Sequence, residues 1–138
     1  TILKLLDQVA YACASRYAGS YVVTMSVDQV TFRQPVHVGE LLTFLASVNY
    51  TGTSSMEIGV KVIAENIRTQ VVRHANSCFF TMVAVEDGKP IPVPALVPFT
   101  TDEKRRFEAA KLRRQLRQEL ERRFKEISAH PGSEAAAN

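Results

Sequence analysis

Residues 2–15, ILKLLDQVAYACAS, place Ile2, Leu3, Leu5, Leu6, Val9, Ala10, Ala12, Cys13 and Ala14 nearly all round a helix. Such a pattern predicts a helix over residues 2–16 that is buried on most sides and sits in the core. Its polar strip is narrow: Lys4, Asp7 or Gln8, Tyr11 and Ser15 stand three or four apart on one face. Residues 18–20, AGS, break the helix, and the period then changes. Residues 21–27, 41–50, 55–65 and 71–85 are rich in Val, Thr, Phe and Tyr and read as strands. TGTS at 51–54 and NIRT at 66–69 are short enough for antiparallel hairpins. Residues 33–40, with Pro35 and Gly39, form an irregular crossing with room for a short extra strand around 30–32. The layout is α+β, an antiparallel sheet of about five strands holding one hydrophobic helix.

After the sheet, GKPIPVP at 88–94 cannot ladder as a central strand, because its prolines lack the donors. From Thr101 a second helix is expected, with Phe107, Leu112, Leu116, Leu120, Phe124 and Ile127 on a stripe and Asp102 and Glu103 in the first turn. That stripe needs a partner. The expected organisation is therefore a domain over residues 1–99, an amphipathic helix over 100–127 packed on the domain or its neighbour, and a disordered tail over 128–138. A chain of 138 residues, 46% apolar, accommodates one ordinary core and not two. It has no run of eighteen apolar residues and no signal-peptide pattern, which reads as a cytoplasmic protein without a membrane span. The net charge of +3 belongs to the tail, where residues 101–127 carry ten Lys and Arg against six Asp and Glu.

Asp7 stands out, because a carboxylate on a core helix is costly unless it is paired or faces a cleft. It can serve as a base toward water or as a nucleophile toward an activated carbonyl, or it can simply share a solvated strip with Lys4 and Tyr11. Thr53, Ser54 and Ser55 open a strand beside a glycine, where hydroxyls and amides can meet a ligand, although most such clusters are only turns. Lys61, Arg68 and Arg73 can add charge for an anionic ligand, or are solvated strand cations. Cys13 and Cys78 sit in apolar stretches and read as buried free thiols. His37, His74 and His130 lack ligand spacing, so no metal and no cofactor is expected. The basic helix interleaves its charges with acids and carries no aromatic platform, which argues against nucleic-acid binding.

Taken in order, TILKLLD at 1–7, VVTMSVD at 22–28, PVHVGE at 35–40, YTGTSSME at 50–57, NSCFFT at 76–81 and GKPIPVP at 88–94 resemble the hotdog-fold acyl-CoA thioesterases of the cytosolic, brain-type group. The likeness runs over about nine tenths of the chain. It implies a sheet wrapped round a central helix, an acyl-CoA substrate hydrolysed to fatty acid and CoA, and active sites at a dimer interface, often in a trimer of dimers. By the same resemblance Asp7 is the catalytic carboxylate, and Thr53, Ser54, Ser55, Lys61 and Arg68 hold the CoA. Family members carry an Asn and a His-Gly-Gly segment before this helix to hold the thioester oxygen, and here Thr1 is the first residue. The absence of a His on the first helix favours hydrolysis over hydration. The competing expectation is a non-catalytic acyl-CoA-binding or assembly module of the same fold.

Overall fold

The computed structural model describes residues 2–32 and 35–129, with residues 29–32 described by their backbone only. Its elements are α1 (Ile2–Ala18), β1 (Tyr21–Phe32), β2 (Glu40–Thr51), β3 (Ser55–Asn66), β4 (Val72–Glu86), β5 (Lys89–Pro90) and α2 (Thr101–Ala129). The chain divides after Pro98 into two compact units.

In the first unit the sheet is antiparallel in the order β1-β4-β3-β2, with β5 hydrogen-bonded to β4. The β-branched and aromatic runs take strand geometry as expected, with one difference. The short extra strand expected around 30–32 is the far end of β1, which continues through two register shifts, between Thr24 and Ser26 and between Asp28 and Thr31. Bulges let one strand absorb extra residues without ending, so strand length alone could not reveal it. The proline-rich exit contributes β5, where Pro90 and Lys89 face Val85 and Glu86. Only two residues pair, at an edge, where a missing N–H is tolerated. Asp87 (φ 51°) and Gly88 (φ 75°) make the connecting turn, a two-residue loop with both residues left-handed, as a tight hairpin demands.

The core lies between α1 and one face of the sheet. Leu6, Ala10 and Ala14, four apart, are fully buried against a cluster that includes Ile58, Val60, Val62, Phe80, Met82 and Ala84. Alternate residues of β3 and β4 supply it, and each large side chain so buried contributes roughly 1.5–3 kcal/mol. The expectation of a helix buried on most sides is corrected here. Leu3 and Leu5 remain 47% and 48% exposed, because a single sheet covers only one side of a helix.

The second unit contains α2, which begins on a reciprocal cap. Glu103 N–H donates to Thr100 Oγ1 at 3.1 Å and Thr100 N–H donates to Glu103 Oε1 at 3.0 Å, so two otherwise unsatisfied donors are met. The Thr100 N–H, and after it the Thr100 side chain, hold the Glu103 carboxyl below its ordinary range. The helix runs two residues beyond Ile127, and the tail expected from there lies, from His130 onward, outside the described residues. Leu112, Leu116 and Leu120 are each 54% exposed, and Phe124 and Ile127 slightly more.

Candidate active site

Asp7 is half-buried on α1, one turn after the helix start and one residue after the core residue Leu6. Its Oδ1 accepts a hydrogen bond of 3.0 Å from Thr24 Oγ1 on β1. Thr24 is the last residue before the first β1 register shift: it opposes Met82, while Ser26 opposes Thr81. The extra residue, Met25, turns the strand there, a common way of aiming one side chain at a site. The carboxylate is thus fixed by a hydroxyl donor, a geometry that leaves its second oxygen available as an acceptor.

The hairpin at 52–55 lies at the same level of the sheet, since Thr24 opposes Met82 and Met82 opposes Met56. It is latched by the proline-rich exit. Val93 N–H donates to Thr53 O, Ala84 N–H to Ser54 O and Leu96 N–H to Thr51 Oγ1, each at 2.9 Å. Tyr17 at the end of α1 donates its hydroxyl to Pro94 O at 2.8 Å, so the exit segment is tied to the helix and to the hairpin.

The other two cations are elsewhere. Lys61 is exposed on β3, on the face opposite the buried Val60 and Val62, and so points away from the α1 side of the sheet that bears Asp7. Arg68 lies beyond the far end of β3. Ser55 and Asn66 bound that strand, about 36 Å apart at the usual rise of roughly 3.3 Å per residue. Within one chain, Asp7 and the 53–55 hairpin share an end of the sheet, and Lys61 and Arg68 do not join them.

Other reactive groups are less well placed for chemistry. Burial pushes the Cys78 thiol up to about 11 and raises that of half-buried Cys13, so both stay protonated at neutral pH. His74 Nε2 is 2.9 Å from the Asn76 carbonyl oxygen and 2.6 Å from Ser77 Oγ. A carbonyl only accepts, so the Asn76 contact suits the tautomer with the hydrogen on Nε2 rather than a base toward Ser77. Among the described residues no cluster of His, Cys, Asp and Glu has the makings of a metal site. Thr24 was missed by sequence reasoning, because its bond to Asp7 spans seventeen positions. Its only signal was a hydroxyl in an otherwise apolar strand start.

Residues 1–87 match the thioesterase superfamily, and the chain belongs to it. Within that superfamily its fold is the hotdog fold of the acyl-CoA thioesterases. It is similar to a crystal structure of an apo hexameric acyl-CoA thioesterase, at a TM-score of 0.82 and 39% identity over 86% of this chain and 76% of that one. It is similar as well to an acyl-CoA hydrolase from Staphylococcus aureus solved with butyryl coenzyme A, coenzyme A and coenzyme A disulfide. There the TM-score is 0.80 and the identity 33%, over 94% of this chain and 81% of that one. Among curated relatives, Protein VdlD of Helicobacter pylori is 55% identical over 84% of this chain. The cytosolic acyl coenzyme A thioester hydrolase of Rattus norvegicus is 42% identical over 79% of it. The chain spans 67% of the length of the first relative and 29% of the second.

Proposed function

We propose that the protein hydrolyses fatty acyl-CoA to a free acid and CoA, with Asp7 as the catalytic carboxylate. The observation that carries this reading is the half-buried helix carboxylate oriented by the Thr24 hydroxyl beside an uncovered apolar surface. As a base, Asp7 takes a proton from water while the water oxygen bonds to the thioester carbonyl carbon. The carbon–sulfur bond then breaks, and the thiolate leaves and is protonated. As a nucleophile, the carboxylate oxygen bonds to that carbon instead and water cleaves the resulting anhydride. The hydroxyls of Thr53, Ser54 and Ser55 and the cations Lys61 and Arg68 hold the CoA portion. The named activities of the rat and Staphylococcus aureus relatives support the substrate class.

The chain acts as a dimer or a trimer of dimers, with the active site at the dimer interface. The uncovered flank supports this. β1 is an edge strand on which Tyr21, Val23, Met25 and Val27 are all 43% exposed or more, and Leu3 and Leu5 of α1 are exposed as well. An open apolar edge is the kind of surface that a second copy covers. A partner on this edge also lets Lys61 and Arg68 of one copy serve a substrate held at Asp7 of another. A cytoplasmic setting accords with the rat relative being named cytosolic; among the described residues no helix is long and apolar enough to cross a membrane.

Asp7→Asn in the full-length protein is the test, since it removes the charge at nearly constant volume. Palmitoyl-CoA turnover should fall by about 10²- to 10⁴-fold while CoA affinity is retained. Turnover within about threefold of the parent would remove Asp7 from the chemistry. A parent protein that binds the thioester without cleaving it would leave the non-catalytic binding module standing.

A further inference from the structure

Where the crossing at 35–40 meets the turn at 66–70, a cavity of about 680 Å³ opens among residues that include His37, Glu40, Arg68, Thr69 and Arg73. Its one carboxylate is already committed. Glu40 Oε1 accepts from His37 N–H at 2.7 Å and from Arg73 Nη2 at 2.8 Å, and the Glu40 side chain is only 8% exposed. Arg73 Nη2 also donates to Pro35 O at 2.7 Å, while its buried Nη1 has no partner among the described residues. Two guanidinium groups against one internally neutralised carboxylate leave a net positive wall.

The turn that carries Arg68 is rigid for its length. Asn66 Oδ1 accepts from Arg68 N–H at 3.0 Å and Thr69 N–H at 3.1 Å, and Gln70 N–H returns to Asn66 O at 2.7 Å through a left-handed φ of 59°. Arg68 is thereby held at the mouth with its side chain in solvent. Val38, Ile67 and Val71 line the same cavity and are exposed, an apolar shelf beside the cations. A fork-shaped guanidinium suits a phosphate geometrically, and a shelf beside it suits a flat ring or a short apolar group.

We infer that this cavity is a binding site for a phosphate-bearing anion, gripped by Arg68 at the mouth and by Arg73 on the wall. It assigns Arg68 to a pocket of its own, apart from the 53–55 hairpin and from Lys61. The phosphate can come from the nucleotide end of a CoA thioester or from a free phosphate compound, and the inference does not depend on hydrolysis.

Calorimetric titration of the full-length protein with pyrophosphate and with adenosine 3′,5′-bisphosphate tests it. Arg68→Ala should weaken at least one probe about tenfold or more, a loss of roughly 1.4 kcal/mol, with Lys89→Ala, an exposed cation on β5 outside the cavity, changing neither beyond about twofold. If the bisphosphate weakens and the acyl-CoA KM rises while turnover of an acyl-pantetheine lacking the nucleotide is unchanged, the source is CoA. If pyrophosphate weakens and the acyl-CoA KM is unchanged, the source is a free phosphate compound. Failure of Arg68→Ala to change either affinity by more than about twofold, or an equal loss of binding in Lys89→Ala, overturns the inference. Arg73→Lys keeps the charge without the fork and should give an intermediate affinity for the same probe. The titrations decide the matter even in a protein that cleaves no thioester, so this inference and the thioesterase reading fail separately.

Discussion

Thr24 gives Asp7 its orientation, and Thr24→Val removes the hydroxyl without changing the shape of the side chain. The carboxylate then keeps its charge and loses a donor at 3.0 Å. Turnover should fall by about 10- to 150-fold, below most of the range expected for Asp7→Asn, because a lost hydrogen bond to a charged group is worth roughly 1.5–3 kcal/mol. Steady-state kinetics on the two variants checks the order; a Thr24→Val enzyme as slow as Asp7→Asn would make the hydroxyl more than an orienter. Gly59 on β3 is a second sensitive position. Ser47 Oγ donates to Asn49 Oδ1 at 2.8 Å and Asn49 Nδ2 donates to Glu57 Oε1 at 3.2 Å. A Cβ on Gly59 would stand 2.5 Å from that Nδ2. Gly59→Ala should therefore displace a buried amide and lower stability by about 1–3 kcal/mol, read from the denaturation midpoint. Asp7 was legible in the sequence because a charge on an apolar helix is conspicuous. Thr24 and Gly59 were not, since their importance lies in neighbours brought close only by the fold.

Among the elements, periodicity located both helices and the main strands, and it failed where a strand changes register. The β1 bulges made one strand look like two. The cap of α2 was readable as Thr100 and Glu103 three apart, yet the acidic first turn alone had drawn notice. The α2 stripe raises the opposite difficulty: its pattern is plain, and which surface it meets is not written in the pattern. Leu112, Leu116 and Leu120 fall four apart along a helix of 29 residues and are exposed in the single chain. We predict that Leu116→Asp reduces the mass of the assembly in light scattering or lowers its melting temperature. Unchanged mass and melting would mean that the stripe stays in water. The ion pairs along the same helix, Arg105 with Asp102 and Arg123 with Glu119, are exposed and contribute little by comparison.

For the whole molecule, Glu40 joins the crossing to β4 and ties stability to pH. The His37 amide and the Arg73 guanidinium hold its carboxyl below the ordinary carboxylate range. A lowered folded-state value means the stabilisation is complete above the unfolded carboxylate range and is lost as pH falls through the folded value. Glu40→Gln should accordingly be less stable than the parent at pH 7, with the gap closing as the pH is taken below about 4, where the unfolded carboxyl is already largely protonated. Urea denaturation at the two pH values checks this; a gap that persists in acid would mean that the pairing acts through shape alone.

The strand order also sets a timetable for folding. Tyr21 of β1 pairs with Val85 of β4, so the strand made just after the helix finds its hydrogen-bonding partner only when nearly the whole sheet has been synthesised. Local hairpins such as β2–β3 can close early, but closure of β1 spans sequence separations from 44 residues, Phe32 to Asn76, to 64 residues, Tyr21 to Val85, and their entropy. Until then Leu6, Ala10 and Ala14 lack the β4 share of their cover, Phe80, Met82 and Ala84. A nascent chain halted before residue 72 would display a greasy helix and an unpaired strand side by side, the combination that chaperones bind and that aggregates when they do not.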